Sequence, residues 1–229
     1  MKLDLIKERL AALKGDSKSS KLIWKPSKGS QIIRFLPYKY DPDWPFTELS
    51  FHYDIPGTTI LSPECFGKKD PINEFAENLK KTGVKEDWLL ARKIESKKRW
   101  YAPILVRGEQ EVEGVKFWGF SKTIYEELLK LAEDPDYGDF TNPKDGRDFT
   151  VEFIPAEKEG TYPETHIRAK PVTSKVTNNS EVLSSIEAMP DVKTLFKTME
   201  YEELERKLVK FLEGEDSDSN DAIIEDDDT

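Results

Sequence analysis

Between residues 97 and 122 the chain interleaves cations with flat rings. Lys97, Lys98 and Arg99 lead into Trp100 and Tyr101, and Lys116, Trp118, Phe120 and Lys122 follow at every second position. A strand turns successive side chains to opposite faces, so this second group shares one side while Val115, Phe117 and Gly119 take the other. The combination suits single-stranded nucleic acid, whose backbone asks for positive charge and whose unpaired bases each gain about 1–3 kcal/mol by stacking on Trp, Tyr or Phe. The same rings would fill a second core if a helix covered them, since aromatic residues are good strand formers. Alternation alone does not choose between the two.

Arg34 is a second candidate, within the run SQIIRFLPYKY. An Arg in the middle of an apolar strand is rarely left unpaired, so it faces an acidic partner or an anionic ligand. Lys39 and the rings of Tyr38 and Tyr40 follow directly and favour the ligand. Groupings that could catalyse a reaction are sparse. His52 and His166 are the two histidines, and the chain has no Gly-rich phosphate loop, no Ser elbow and no acidic cluster of two-metal spacing within its body. It therefore reads as a binding protein rather than an enzyme. Cys65 is the lone cysteine, which excludes an intramolecular disulfide and suits a buried bystander.

These side chains need strands to hold them. Residues 21–24, 30–40, 46–55, 58–61, 147–156 and 165–172 are rich in β-branched and aromatic residues and bounded by Gly, Pro and Asp, and the 97–122 stretch adds a central pair. Tyr162 lies in the loop between the last two runs. A helix is expected over 71–81, with Asp70 as its cap, Pro71 at its start and Gly83 at its end. Another is expected over 123–134, with Ile124, Leu128 and Leu131 on one stripe. Near the N-terminus Leu3, Ile6, Leu10 and Leu13 recur at helical spacing before Gly15, with a polar linker over 16–20. That short helix must dock, either on its own body or on a neighbouring copy. Beyond residue 178 the pattern is helical again, with Leu204, Leu208 and Leu212 four apart.

Several turn-separated strands with a helix after the central pair fit an α+β, mainly β chain. Its core would be an OB-fold, a five-stranded Greek-key barrel, with helical insertions and a C-terminal helical segment. The expected parts are 1–20, an amphipathic helix and linker; 21–178, the core; 179–214, helices packed on it; and 215–229, a disordered acidic tail. The net charge of −10 at first argues against a polyanionic partner. Of the 45 acids, however, eight lie in 215–229, which leaves 37 against 35 bases and permits a basic groove on the body. No apolar run approaches a membrane span and no secretory h-region opens the chain, so a cytoplasmic location is expected.

The order and spacing of IIRFLP, WYAPILV, VKFWGFSK with TIYEELL, DFTVEF and a helical segment before an acidic tail resemble the single-stranded DNA-binding, helix-destabilising proteins of T-even-like phages. The resemblance runs through most of the chain and implies cooperative, sequence-nonspecific coating of open strands in replication, recombination and repair. It also implies positions. Trp100 and Trp118 fall where the family places tyrosines facing DNA, Tyr162 matches another such aromatic, Arg34 a groove arginine, and Lys97, Lys98 and Arg99 a basic cluster. Stacking and phosphate contacts leave RNA open as a further ligand.

Two departures stand out. The family carries a structural zinc on one His and three Cys; here only His52 and Cys65 remain, with Asp70 and Asn73 at the other two positions, so no metal or other cofactor is expected. The family's compact N-terminal basic run is replaced by bases spread along a helix, and Lys2, Lys7 and Arg9 become the candidates for contact with the adjacent protomer. The tail could merely solubilise. Yet Ile223 and Ile224 sit among acids that include Asp226, Asp227 and Asp228, which suits a short motif for replication and recombination proteins or a competitor for the chain's own groove. The alternative class is an acidic interaction protein or DNA mimic that binds no DNA.

Overall fold

Runs of β-branched and aromatic residues become strands, and most of them end within two residues of a Gly, Pro or Asp. In the computed structural model, which describes residues 21–55, 59–156 and 161–214, the strands are β1 (Ile23–Trp24), β2 (Gly29–Phe35), β3 (Thr47–His52), β4 (Ile60–Leu61), β5 (Lys97–Val106), β6 (Lys116–Phe120), β7 (Arg147–Ile154) and β8 (Glu164–Thr173). The helices are α1 (Pro71–Lys81), α2 (Lys85–Ile94), α3 (Lys122–Glu133), α4 (Ser180–Glu187) and α5 (Tyr201–Glu213). Two compact units result, one of Met1–Thr47 with Trp100–Leu195 and the other of Glu48–Arg99 with Phe196–Thr229.

In the first unit the strands run in the order β1-β6-β5-β2-β7-β8, with β1 parallel to β6 and the other neighbours antiparallel. The chain is thus α+β and mainly β, with a mixed sheet compatible with an OB-type arrangement. Among the described residues the pairings do not close the sheet. One face carries the core, with Ile33 and Phe35 of β2, Ala102 and Ile104 of β5, Trp118 and Phe120 of β6, and Phe149 and Val151 of β7. Helix α3 seals it with Ile124 and Leu128, the stripe its sequence spacing predicted, and Leu131 packs at the edge.

The second unit gathers β4, α1, α2, α5 and β3 from Glu48 onward. Ile55, Ile60, Ile72, Ala76, Ala91, Ile94, Met199, Leu204 and Leu208 make its core. The Asp70 carboxylate caps α1 by accepting from the N–H groups of Ile72 and Asn73, as expected. Helix α2 was not anticipated. Its signals are local: Glu86 and Asp87 in the first turn, Arg92 and Lys93 in the last, where each sign complements the helix dipole, and Ala91 and Ile94 on the buried face. Residues 48–99 belong to the second unit, and of the C-terminal helices α4 belongs to the first unit and α5 to the second. The N-terminal helix with Lys2, Lys7 and Arg9, and the tail with Ile223, Ile224, Asp226, Asp227 and Asp228, lie outside the described residues.

Candidate nucleic-acid interface

Strand parity in β6 is as the sequence implies, but the shared face is the core. Trp118 is 2 % exposed, with Trp24 edge-on at 5.6 Å and Phe35 stacked at 6.1 Å, and Phe120 is buried beside it. Trp100 is buried too, its ring parallel to that of Tyr125 at 4.7 Å and 10°. Tyr101 lies over Gly119, where an added Cβ would come within 2.6 Å of the phenol ring. The expectation that these rings offer faces to bases is corrected: Trp100, Trp118 and Phe120 belong to the core that α3 seals, and Tyr101 is buried over Gly119. Lys122 leaves the strand pattern altogether and opens α3.

Arg34 is also corrected, from ligand contact to internal pairing. It is fully buried, and Asp148, directly opposite it in the β2–β7 register, accepts from Nη1 at 3.2 Å. Nη1 also donates to the Ser174 hydroxyl at 3.1 Å, and Nη2 donates to the carbonyls of Asn142 at 2.9 Å and Ser174 at 2.7 Å. Arg107 joins the same carboxylate, with Nη2 donating to Asp148 at 2.8 Å. Burial lowers the Arg34 pKa, opposed by Asp148 and assisted by Arg107, while at Arg107 burial is outweighed by Asp148 and the pKa rises. The two guanidiniums pin the 142–148 and 174–176 stretches to the sheet.

The remaining cations divide by how firmly they are held. Lys116 is three-quarters or more enclosed, donating to the Lys21 carbonyl at 2.7 Å and pairing with Glu113 at 2.8 Å. Lys97 donates to the Arg92 carbonyl at 2.8 Å, and Arg99 is half-buried. Lys98 with Glu48 at 2.7 Å and Lys122 with Glu126 at 3.7 Å are exposed pairs. Such pairs contribute about 0–1 kcal/mol and can exchange a carboxylate for a phosphate at little cost. Lys39 donates to the Glu187 carbonyl at 2.9 Å and sits 5.9 Å from the Tyr40 ring centre.

In the first unit the accessible rings are elsewhere. Tyr162 is 53 % exposed before β8, and Tyr40 and Trp44 stand on the segment after β2, Trp44 at 41 %. That segment is braced. The Asp41 N–H donates to the Tyr38 carbonyl and the Trp44 N–H to that of Asp41, while the Tyr38 hydroxyl donates to Asp191 at 2.8 Å and accepts from the Val192 N–H at 3.1 Å. Trp44 sets its edge on Phe46 at 5.6 Å, and Phe46 belongs to the core. Sequence reasoning passed over Trp44. Its signal is Pro42 and Pro45 on either side, which remove the residue from any strand interior and leave a large ring in a turn.

The second unit contains the four positions at which the sequence resemblance places a zinc. His52 is buried with both ring nitrogens committed, Nδ1 to the Ile94 carbonyl at 2.8 Å and Nε2 to the Asp70 carboxylate at 2.9 Å. Asp70 further accepts from the Ser62 hydroxyl at 2.6 Å. Cys65 Sγ accepts from the Ser50 N–H at 3.2 Å, and the Asn73 amide bridges Glu64 and Ser96 at 2.8 and 3.0 Å. Among the described residues no three His, Cys, Asp or Glu side chains converge on a metal position. No helix of the described residues is long and apolar enough to cross a membrane.

A family model described as gp32 DNA binding protein like matches residues 27–212, a span that includes both units. No curated protein matches the chain.

Proposed function

The chain belongs to the gp32-like family of single-stranded DNA-binding proteins, and from that premise we propose that it coats and protects open strands, cooperatively and without sequence preference, in phage DNA replication, recombination and repair. The observation that carries this reading is the extent of the family match, 27–212, on a chain whose surface also offers rings and exchangeable cations. In the first unit Tyr40, Trp44 and Tyr162 serve as stacking platforms, and Lys39 and Lys122 meet phosphates. In the second, Lys98 is a phosphate contact of that unit's own surface. Asp41 and Asp43 precede Trp44 in the same turn, so that turn contacts bases and not phosphates.

Duplex DNA hides its base faces, so stacking favours the open strand and lowers the melting temperature without any nucleotide hydrolysis. The protein acts by stoichiometric binding in the cytoplasm of an infected cell and needs no cofactor; the OB-type sheet supports the site. Lys2, Lys7 and Arg9 reach the neighbouring protomer, so deleting residues 1–20 lowers cooperativity and spares the affinity of an isolated molecule. The acidic tail recruits replication and recombination proteins.

The test is a tryptophan fluorescence titration with polythymidylate over a range of salt concentrations, set against duplex DNA. Quenching that weakens steeply with salt and little response to duplex support the reading. Absence of binding at low salt, with or without the tail, would overturn it and leave an acidic interaction protein.

A further inference from the structure

Strand β8 ends the sheet of the first unit, and among the described residues no strand pairs with its far side. Which of its backbone groups face that open edge follows from the ladder. The Arg107 N–H donates to the Ile32 carbonyl and the Leu36 N–H to the Pro103 carbonyl, so the even-numbered residues along β2 bond towards β5. Bonding direction alternates along a strand. The odd residues of β2 therefore face β7, where Gly29, Gln31 and Ile33 stand opposite Phe153, Val151 and Phe149. The even residues of β7 then bond to β8, with Thr150, Glu152 and Ile154 opposite Arg168, His166 and Glu164. The N–H and C=O groups of Thr165, Ile167 and Ala169 are left pointing outward.

Both ends of this open stretch are closed off. Pro163, just before the strand, has no N–H to offer, and neither has Pro171. The Arg147 guanidinium donates to the carbonyls of Lys170 and Pro171. The window that remains is 164–169. An unpaired edge is a template for another strand, and the side chains beside it decide which strand fits. Glu164, His166 and Arg168 are exposed on the face turned away from the core, whereas Ile167 and Ala169 pack against the core. Paired antiparallel with itself about His166, the window sets Glu164 opposite Arg168 twice, and Thr165 opposite Ile167 as a hydrogen-bonded pair on either side of the axis. Moving the axis to Ile167 sets Arg168 against His166 instead and matches Glu164 with Lys170, outside the window. The strand thus carries both members of a charge pair at the spacing that a second copy requires.

We propose that the edge of β8 is a contact between two copies of this chain, which pair antiparallel about His166 and join their sheets into one. Such a contact is isologous and closes at two copies, so it differs from any contact that repeats along a DNA strand. It does not depend on the function proposed above.

The test follows the full chain without DNA by sedimentation over a range of protein concentrations. Arg168→Glu turns both charge pairs into Glu–Glu pairs and raises the dimer dissociation constant about tenfold or more. Adding Glu164→Arg to it restores the parent value. Both side chains are exposed and lie opposite Thr150 and Ile154 on β7, so the changes leave the core intact. His166→Cys supplies a second readout. Opposed residues that exchange no hydrogen bonds have Cα atoms about 4.5 Å apart, within the range of a disulfide. This variant therefore cross-links two copies under mild oxidation, whereas the parent, with Cys65 alone, and Arg168→Cys do not. A parent that is monomeric at every concentration overturns the proposal and leaves the edge to an extended segment of a different protein. Association that Arg168→Glu leaves unchanged also overturns it and assigns the contact to another surface. Failure of the double variant to recover, or of His166→Cys to cross-link, refutes pairing about His166.

Discussion

Replacing Asp70 with Asn separates the buried His52–Asp70 pair from the helix cap that the same carboxylate provides. Asn remains a good cap, so the N–H groups of Ile72 and Asn73 keep an acceptor. What is lost is the negative charge facing His52 Nε2 and the acceptor for the Ser62 hydroxyl, both in a fully buried site. Leaving the buried hydrogen-bond partners of that carboxylate unsatisfied costs about 1–3 kcal/mol. Asp70→Ala adds the cap, a further ~0.5–2 kcal/mol. Urea unfolding followed through the second unit's Trp88, run with and without a metal chelator, measures the difference. The His52→Gln, Asp70→Asn cycle isolates the coupling. The pH dependence has a fixed sign. Burial would raise the Asp70 carboxyl, but the hydrogen bond and charge of His52, with Ser62 and the Asn73 N–H, outweigh it and hold the pKa below its ordinary 3.8. That stabilisation is complete above 3.8 and disappears as the pH falls from there through the depressed folded value. A loss below about 1 kcal/mol for Asp70→Asn, short of the range for unsatisfied buried groups, or a chelator that lowers the unfolding midpoint, would refute the idea that hydrogen bonds have replaced the zinc.

The other predictions separate core from surface. Trp44→Ala weakens polythymidylate binding by about 1–3 kcal/mol with little effect on thermal stability, whereas Trp118→Ala costs about 3–5 kcal/mol of stability, because a buried ring is deleted; equilibrium titration and thermal melts on both variants check the contrast. Arg34→Met lowers the unfolding midpoint by leaving Asp148 short of one guanidinium, and the salt slope of DNA binding stays that of the parent. Lys39→Ala lowers that slope by about 0.7 if its ammonium meets one phosphate, read from affinities at several salt concentrations. Gly119→Ala drives a Cβ into the Tyr101 ring, and such overpacking costs about 1–3 kcal/mol in a melt.

Much of the backbone was legible from local signals. Asp70, Pro71 and Gly83 delimit α1, and Ile124 and Leu128 mark the buried stripe of α3, because caps and helical periodicity are set by near neighbours. The acid that pairs with Arg34 was not legible. Asp148 lies 114 positions away, and it becomes the partner only when β2 and β7 pair in a register that sets the two residues opposite each other. The four positions of the resemblance's zinc site were legible in the sequence as His52, Cys65, Asp70 and Asn73. The network around them was not, since it draws on Ser62 in the turn after β4, Ile94 at the end of α2 and Ser96 in the link to β5.

Trp118 shows where the alternation argument stops. A period of two says which residues share a face, and Lys116, Trp118 and Phe120 do share one; it is silent about what covers that face. The missing information was partly present. Val115 and Phe117 on the other parity are apolar as well, so β6 reads as a continuous apolar run, the pattern of a strand buried on both sides rather than of one with a wet binding face. Both Phe117 and Trp118 are indeed buried. Trp44 is the converse case. It belongs to no periodic run and sits between acids and prolines. A large ring that no core can claim is the better candidate for a ligand that binds by stacking.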